Sequence, residues 1–358
     1  MSATVSDIGI EVRGRLGLIT LDRGQTLNAL TREMLQAIGD ALETWQNDER
    51  IAHVAIHSVD EKAFSAGGDL RGIYDLGLAA KRGEAPLPVD FFRDEYRLNA
   101  RIKTYSKPYI ALINGIVMGG GVGVSINGRY RIAGETIQFA MPEVGIGFFP
   151  DVGGTFFLPR LPGETGIYLG LTGTRIGLAD CLWTGLATHF VPGERFDELI
   201  EALASGADTG RILERFDTKA DSAISSLAAD AGRIDAVFAG ERVVDIRDQL
   251  ERWQDEGSER AAAAAKAMDR ASPTSLALAL RQLRTGRTLD FTACMRTEYR
   301  IVSRVLAGHE FYEGARAQII DKDRKPIWNP ATLDGVTDAA IAAYFAPFEP
   351  LEEELDLS

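Results

Sequence analysis

One short stretch limits the possible folds more than any other part of the chain. The residues from Tyr109 to Ile113 form a continuous apolar run, which is typical of a β-strand buried on both faces of a parallel sheet. Asn114-Gly115 ends the run, and Gly119-Gly120-Gly121-Val122-Gly123 follows after a short apolar stretch. A buried strand that leads through glycines into a helix is typical of α/β proteins. We therefore expect an α/β fold in the first half of the chain.

The rest of that half repeats a strand–strand–helix order. Residues 8–21 alternate polar and apolar positions around two glycines, which predicts two short strands joined by a turn. Apolar residues from Leu27 to Trp45 then recur at helical spacing, with Thr31 as a candidate N-cap, and residues 51–58 predict another strand. From about residue 205 onward the helical period dominates. We therefore predict a core over residues 1–205 and a helical C-terminal region over 206–358.

Charge and cysteine content narrow the possible functions. The chain has 39 basic and 52 acidic residues, a net charge of −13, which argues against a general nucleic-acid binder. Cys181 and Cys294 lie far apart, which argues against a zinc ribbon, an iron–sulfur cluster or a disulfide framework. No signal-peptide pattern opens the sequence, and no apolar run reaches the roughly 18 residues of a membrane span. We expect a cytoplasmic protein that binds neither membrane nor metal.

The glycine run fits none of three familiar motifs. A dinucleotide fingerprint that starts at Gly119 would end on Val124, and the Gly-Lys-Ser/Thr ending of a phosphate-binding P-loop is missing. A nucleophile elbow around Ser125 would need a glycine where Asn127 stands, so we expect Ser125 to lie in a helix. The amides at the start of that helix remain suited to an anion or a developing oxyanion.

A second set of amides follows a different predicted strand. Gly67-Gly68-Asp69 comes after the strand at residues 51–58, and two amides from two loops would form an oxyanion hole for a carbonyl compound. The alternative interpretation is that the glycines only permit tight turns.

Two carboxylates lie in an apolar, glycine-rich segment, where a surface loop would be polar. Glu143 and Asp151 both fall within residues 140–154. Burial raises the pKa of a carboxyl group, which is what a general acid or base near neutral pH requires. The alternative is that the two residues cap helices or pair with arginines.

Dispersed motifs make the sequence similar to the crotonase (enoyl-CoA hydratase/isomerase) superfamily over essentially its whole length. They are Leu27-Asn28-Ala29-Leu30, Ala66-Gly67-Gly68-Asp69, Asn114-Gly115 with Gly119-Gly120-Gly121, Met141-Pro142-Glu143, Phe149-Pro150-Asp151-Val152-Gly153-Gly154 and Glu298-Tyr299-Arg300. The resemblance implies a spiral of ββα units and a helical C-terminal region that completes the site and forms contacts in a trimer or hexamer. It also implies an acyl-CoA substrate that brings its own coenzyme A, with no separate cofactor.

The resemblance also implies roles for single residues. The amides of Gly68 and Gly120 would bind the thioester oxygen. Substrate and coenzyme A contacts would come from Ala66, Gly67, Asp69, Gly119, Gly121 and Arg23. Arg23-Gly24 replaces the basic residue and proline that usually precede the first helix, so Arg23 is the candidate for a phosphate contact.

The carboxylates decide between the chemistries of the superfamily. Its hydratases use two glutamates, and the first of these positions is Gly123 here, which cannot transfer a proton. The remaining carboxylates, Glu143 and Asp151, instead resemble those of the branch that hydrolyses thioesters of short, branched 3-hydroxyacyl groups. Glu143 would activate water or attack the thioester to form a mixed anhydride, and Asp151 would orient the substrate hydroxyl or move a proton. The alternatives are an enoyl-CoA hydratase or isomerase and a catalytically silent acyl-CoA binding protein.

Overall fold

The computed structural model describes residues 3–5, 7–218, 225–349 and 354–357. The chain divides into two compact units, each assembled from three separate segments. The first unit consists of the described residues of Met1–Gly68, Asp94–Phe139 and Arg175–Ala229. The second consists of the described residues of Asp69–Arg93, Ala140–Thr174 and Asp230–Ser358.

Within the described ranges of the chain, ten strands form two sheets. The strands are β1 (Ala3–Val5), β2 (Ile8–Arg13), β3 (Leu16–Leu21), β4 (His53–Ser58), β5 (Ala63–Ser65), β6 (Tyr109–Ile113), β7 (Ile116–Met118), β8 (Tyr130–Ala133), β9 (Gln138–Ala140) and β10 (His189–Phe190). The larger sheet has the order β1-β2-β3-β4-β6-β8-β10, and the smaller sheet has the order β5-β7-β9. The first two pairings of the larger sheet are antiparallel, and all the later pairings are parallel.

The α-helices connect the strands and make up most of the second half. They are α1 (Arg32–Gln46), α2 (Leu70–Lys81), α3 (Val89–Lys103), α4 (Gly120–Ile126), α5 (Gly154–Phe157), α6 (Thr165–Thr172), α7 (Leu178–Thr184), α8 (Phe196–Ala204), α9 (Thr209–Phe216), α10 (Ser226–Phe238), α11 (Val243–Asp255), α12 (Glu259–Arg270), α13 (Pro273–Gly286), α14 (Phe291–Ala307), α15 (Glu310–Ala315) and α16 (Asp338–Phe345). Short 3₁₀ helices cover Gly24–Thr26, Glu143–Ile146, Leu158–Arg160, Gly193–Arg195 and Leu333–Gly335, and a π-helix covers Arg316–Ile320.

The strand–strand–helix order repeats along the chain. A hairpin and α1 come first, followed by β4, β5 and α2, then by β6, β7 and α4, and then by β8, β9 and the 3₁₀ helix Glu143–Ile146. In the last three repeats the first strand joins the larger sheet and the second joins the smaller one. This arrangement brings the loops after β5 and β7 close together, because those two strands pair directly.

Hydrophobic packing explains the first unit. Leu16, Ala55, Ile110 and Ile132 project from successive strands into one buried cluster with the apolar faces of α8 and α9. Burial of this kind of side chain contributes roughly 1.5–3 kcal/mol each. Strand β6 is buried at all five positions, as its continuous apolar run predicts.

In the second unit, the C-terminal helices pack against the segment after Glu143. Gly286 in α13 lies so close to the backbone that an added Cβ would fall 1.9 Å from the carbonyl oxygen of Thr155. Leu283 of the same helix lies against Gly170 of α6. These contacts fix α13 beside residues 150–155.

Most of the predicted elements are confirmed. The hairpin over residues 8–21, the strand within 51–58, the helix capped by Thr31 and the helical position of Ser125 all occur. Leu27 and Leu30, however, precede α1, because Leu27 and Asn28 both adopt a left-handed conformation with φ of 54°. The three-residue strands β5 and β7 are too short to show an alternating pattern in the sequence.

The two-part division at residue 205 stays a prediction. The described elements from Phe196 onward are all helical, as the periodicity indicates. The compact units nevertheless each contain residues from both sides of position 205. Within the residues that the structure describes, no helix combines the length and the apolar character needed to cross a membrane.

Candidate active site

Two glycine loops meet in the first unit. Gly68 follows β5, and Gly120 begins α4 just after β7. A Cβ atom built on Gly120 would lie 3.2 Å from the backbone nitrogen of Gly68. The structure thus brings together the two residues that the sequence predicts as amide donors.

The positions next to them favour glycine, for lack of space at Gly121 and because of the backbone conformation at Gly67 and Gly119. A Cβ on Gly121 would fall 2.5 Å from the carbonyl oxygen of Ser65. Gly67 and Gly119 have φ of 113° and 48°, which disfavour other residues. The glycines therefore permit tight turns, as the alternative interpretation holds, and those turns also place two amide-bearing loops side by side.

Asn28 holds the first loop and was missed by the sequence analysis as a functional residue. Its Nδ2 donates hydrogen bonds to the Ser58 Oγ at 2.7 Å and to the carbonyl oxygens of Ala63 and Phe64 at 3.0 and 3.1 Å. Ser65 Oγ donates to the Asn28 carbonyl at 2.8 Å. The only sequence signal is its place in the motif Leu27-Asn28-Ala29-Leu30.

The same motif contacts the predicted donor loop itself. The amide of Leu30 donates to the Gly67 carbonyl at 2.8 Å, and Leu30 forms an isolated parallel bridge with Gly68. The amide of Ala66 donates to the Leu27 carbonyl at 2.9 Å. The backbone of residues 66–68 is therefore fixed from one side by residues 27–30.

Glu95 is a buried carboxyl group beside the second loop. It lies in α3, and its Oε1 is 2.5 Å from the point where a Cβ on Gly120 would sit. The sequence alone does not distinguish Glu95, because one glutamate within a helix rich in charged residues carries no signal of burial. Gly123, which stands where hydratases have a glutamate, is buried in α4.

The remaining predicted contact residues have well-defined positions. Arg23 forms an ion pair with Asp7 at 3.2 Å, and its Nη1 donates to the Ala29 carbonyl at 2.9 Å. Asp69 caps α2, because its side chain accepts a hydrogen bond from the Gly72 amide at 3.2 Å. The roles of Arg23 and Asp69 in coenzyme A binding stay predictions.

Glu143 and Asp151 lie in the second unit. Glu143 begins the 3₁₀ helix Glu143–Ile146 after Pro142, and both carboxyl groups are buried, with exposures of 5% and 4%. Within the described part of the chain, no hydrogen-bond donor reaches Oε2 of Glu143. A buried acceptor of this kind is unusual in folded proteins and is found at functional sites.

The carboxyl group of Glu143 is buried close to negative charge, and the segment that follows it is rich in aromatic rings. Phe148 stacks on Phe149 with ring centres 4.7 Å apart, and Phe92 and Phe311 each lie 5.6 Å from Phe148. Burial therefore raises the pKa of Glu143 well above its usual value, and the negative charge of Asp151 raises it further. A carboxyl group with a raised pKa is suited to accept or transfer a proton near neutral pH.

Glu298 is a third buried carboxyl group in the second unit. Its sequence context alone assigns it no role. Its Oε2 accepts a hydrogen bond from the Gly153 amide and its Oε1 from the Thr155 amide, both at 2.9 Å. Burial, and secondly the charge of Asp151, raise the pKa of Glu298 to about 8. Its neighbours along the sequence give no sign of these contacts, which span 145 and 143 residues.

No cluster of three or more histidine, cysteine, aspartate or glutamate side chains suited to a metal ion occurs among the described residues. Cys181 and Cys294 are free and buried.

Comparison with protein families gives a match over nearly the whole chain. The model of the family described as enoyl-CoA hydratase/isomerase matches residues 16–345. The chain belongs to this family. The predicted superfamily resemblance is therefore confirmed.

Several relatives are identical to this chain at about two fifths of the aligned positions. The mitochondrial 3-hydroxyisobutyryl-CoA hydrolase of Danio rerio is 41% identical, and the alignment covers 98% of this chain and 92% of that protein. The proteins of the same name from Gallus gallus and Homo sapiens are 42% and 41% identical, with 96% and 95% of this chain covered and 90% and 88% of theirs.

Solved structures of the family share the fold. A protein described as carnitinyl-CoA dehydratase from Mycobacterium thermoresistibile is 37% identical, with a TM-score of 0.90 over 98% of this chain and 99% of that one. An enoyl-CoA hydratase from Rhodobacter sphaeroides is 40% identical, with a TM-score of 0.88 over 96% and 98%. The crotonase-type α/β spiral with its C-terminal helices is thereby confirmed.

Proposed function

We propose that the protein hydrolyses an acyl-CoA thioester, with 3-hydroxyisobutyryl-CoA as the substrate, as in valine degradation. The products are 3-hydroxyisobutyrate and free coenzyme A. The observation that carries the proposal is the pair of buried carboxyls Glu143 and Asp151 in a chain that has Gly123 in place of the other hydratase glutamate. The names of the 41–42% identical relatives support the same reaction.

In this proposal the amides of Gly68 and Gly120 polarise the thioester carbonyl. Both belong to glycine loops that are held in fixed positions, so the donors need little rearrangement when negative charge develops on the oxygen. Such preorganised donors contribute about 3 kcal/mol each to the stability of a transition state.

Glu143 then has one of two roles, which the sequence leaves open. Its ionised carboxylate attacks the carbonyl carbon, the C–S bond breaks, and the coenzyme A thiolate leaves and takes up a proton. Water then hydrolyses the resulting mixed anhydride. In the other route Glu143 removes a proton from a water molecule that attacks the carbonyl carbon directly, after which the C–S bond breaks and the coenzyme A thiolate leaves and takes up a proton. In either route Asp151 orients the substrate 3-hydroxyl group or moves a proton.

The substrate brings its own coenzyme A, so we propose no separate cofactor. A homo-oligomer of three or six chains and a cytoplasmic location remain proposals from the sequence. The relatives from Danio rerio, Gallus gallus and Homo sapiens are named as mitochondrial proteins.

The deciding experiment measures free thiol released from 3-hydroxyisobutyryl-CoA, in parallel with the hydration of crotonyl-CoA by the same preparation. Thiol release without hydration supports the proposal. Hydration without thiol release contradicts it and favours the enoyl-CoA hydratase reaction, which the name of the similar structure from Rhodobacter sphaeroides supports. Coenzyme A binding without either reaction favours a silent acyl-CoA binding protein.

The acyl group needs a matched comparison. Isobutyryl-CoA has the same carbon skeleton without the 3-hydroxyl group. Faster thiol release from the hydroxylated substrate supports a site that recognises this hydroxyl, whereas equal rates contradict the 3-hydroxyisobutyryl specificity while leaving the thioesterase activity intact.

A further inference from the structure

The carboxyl group of Glu298 is buried against the backbone just after Asp151. Glu298 lies in the middle of α14 with no exposed surface. A buried carboxylate is costly unless it is hydrogen-bonded, and here each oxygen accepts one backbone N–H, from Gly153 and from Thr155. These two residues lie two and four positions after Asp151.

The backbone that Glu298 holds is the turn that leads into α5: Gly153 lies just before this helix and Thr155 lies within it. Val152 has φ of 51° and Gly153 has φ of 95°, both in the left-handed region. A non-glycine residue in this region is disfavoured unless surrounding contacts enforce it. The Gly154 amide also donates to the Asp151 carbonyl at 2.7 Å, which closes a tight turn around Asp151.

A second helix holds the same turn from its other end. The Nε2 of Gln282 in α13 donates to the Pro150 carbonyl at 2.6 Å and to the Thr155 Oγ1 at 2.7 Å. Gln282 and Glu298 together fix residues 150–155 at four points. The position of the Asp151 side chain therefore depends on two helices of the C-terminal region.

The three carboxyl groups also interact through their charges. Asp151 raises the pKa of both Glu143 and Glu298, and Glu298 in turn contributes to the raised pKa of Glu143. Glu298 also contributes to the raised pKa of the buried Cys294 thiol, one helical turn earlier. All three carboxyls thus lie within electrostatic reach of one another.

We propose that Glu298 is a positioning residue for Asp151: it holds the Gly153 and Thr155 amides and thereby fixes the Asp151 carboxyl beside Glu143. This inference rests on the proposed thioesterase function. Glu298 itself need not contact the substrate.

The variant Glu298→Gln tests this role. Its side chain has nearly the same shape, but its NH₂ group faces a backbone donor, so one hydrogen bond is lost. We expect kcat for 3-hydroxyisobutyryl-CoA to fall about tenfold or more, with KM changed less than about twofold. Thr297→Val on the same helix is the matched control, because the Thr297 hydroxyl donates within the helix, to the Ala293 carbonyl at 2.8 Å.

A double-mutant cycle separates positioning from general damage. If Glu298 acts through Asp151, adding Glu298→Gln to Asp151→Asn lowers kcat by less than about twofold further. If the double variant instead loses kcat by the product of the two single-variant factors, the proposal is overturned. If Glu298→Gln does not fold, Gln282→Met removes the other two contacts to the same turn and is expected to give the same pattern.

Hydrogen exchange gives a readout that does not depend on activity. We expect faster amide exchange in peptides covering residues 150–157 of Glu298→Gln than in Thr297→Val or the unaltered protein. Unchanged exchange overturns the positioning role. If the unaltered protein releases no thiol, the proposed function is refuted. The exchange experiment would still test whether Glu298 holds the Gly153 and Thr155 amides.

Discussion

A Cβ atom on Gly120 would lie 3.2 Å from the backbone nitrogen of Gly68 and 2.5 Å from Oε1 of Glu95. The two loops proposed to hold the thioester oxygen are therefore in contact at a point where only a hydrogen atom fits. This relationship makes the geometry of the amides sensitive to a single methyl group.

We expect Gly120→Ala to lower kcat/KM for thioester hydrolysis about 100-fold. The added methyl group has to displace the Gly68 amide or the Glu95 carboxyl, and loss of one oxyanion donor has an effect of this order. Gly39→Ala is the control, since its Cβ meets no atom within 4 Å and a helical alanine is favoured over glycine. Equal activity of the two variants would contradict an oxyanion role for this loop.

Glu143→Gln and Asp151→Asn are expected to lower kcat about 1,000-fold or more while coenzyme A binding changes little, because Glu143 acts at the thioester and Asp151 orients the acyl group or moves a proton. Steady-state kinetics and titration calorimetry with coenzyme A measure the two effects. Folded variants that no longer bind coenzyme A would indicate that the carboxyls hold the ligand instead.

Labelled water distinguishes the two routes open to Glu143. A single turnover in H₂¹⁸O is expected to place ¹⁸O in the Glu143 side chain if a mixed anhydride forms, because water attack at the enzyme carbonyl leaves its oxygen there. Peptide mass spectrometry detects the label. Unlabelled Glu143, with ¹⁸O found only in the product acid, is the result expected for direct attack by water.

The pH dependence of activity follows from the raised pKa of Glu143. Glu143 works in its ionised form, so kcat/KM falls as the pH decreases through a value above 4.5. Asp151→Asn removes a negative charge that raises this pKa, so the acid limb of the residual activity moves to lower pH. Profiles of kcat/KM against pH for the unaltered protein and for Asp151→Asn check the direction of this shift. A shift of the acid limb toward higher pH would contradict the assignment of that limb to Glu143.

Stability is expected to change with pH in the opposite sense to activity. The unfolded chain releases the Glu143 proton near 4.5, whereas the folded protein retains it to a higher pH, so folding becomes less favourable as pH rises between the two values. Glu143→Gln lacks this penalty. The free energy of unfolding of the variant, relative to that of the unaltered protein, therefore increases across that window by up to about 1.4 kcal/mol per pH unit. The difference in Tm between the two proteins, measured at several pH values, checks this increase.

Asn28→Ala is expected to destabilise the protein by about 2–4 kcal/mol. The change removes four hydrogen bonds of a buried side chain, including the one that its Oδ1 accepts from the Arg23 amide, and puts alanine at φ of 54°. Asn28→Gly loses the same bonds but tolerates the backbone, so it is expected to be less destabilised by about 1 kcal/mol. Urea unfolding measures both, and identical losses would show that the backbone conformation contributes nothing.

The sequence by itself determined the local elements and the candidate residues of the site. The apolar run at Tyr109–Ile113 and the helical spacing after Thr31 correctly predicted β6 and α1, because burial and periodicity are properties of neighbouring residues. Glu143 and Asp151 stand out because they are charged residues in an apolar, glycine-rich segment, whereas the family resemblance singles out Gly68 and Gly120 within their glycine runs.

Only the tertiary structure decided which distant groups support those residues. Nothing near Asn28 in the sequence indicates that it binds the backbone of β5, and nothing near Glu298 indicates that it holds Gly153 and Thr155. Such contacts depend on how strands pair and helices pack after long stretches of intervening chain. A hydrogen bond between remote residues leaves no periodic trace in either segment, so folding alone brings the partners together.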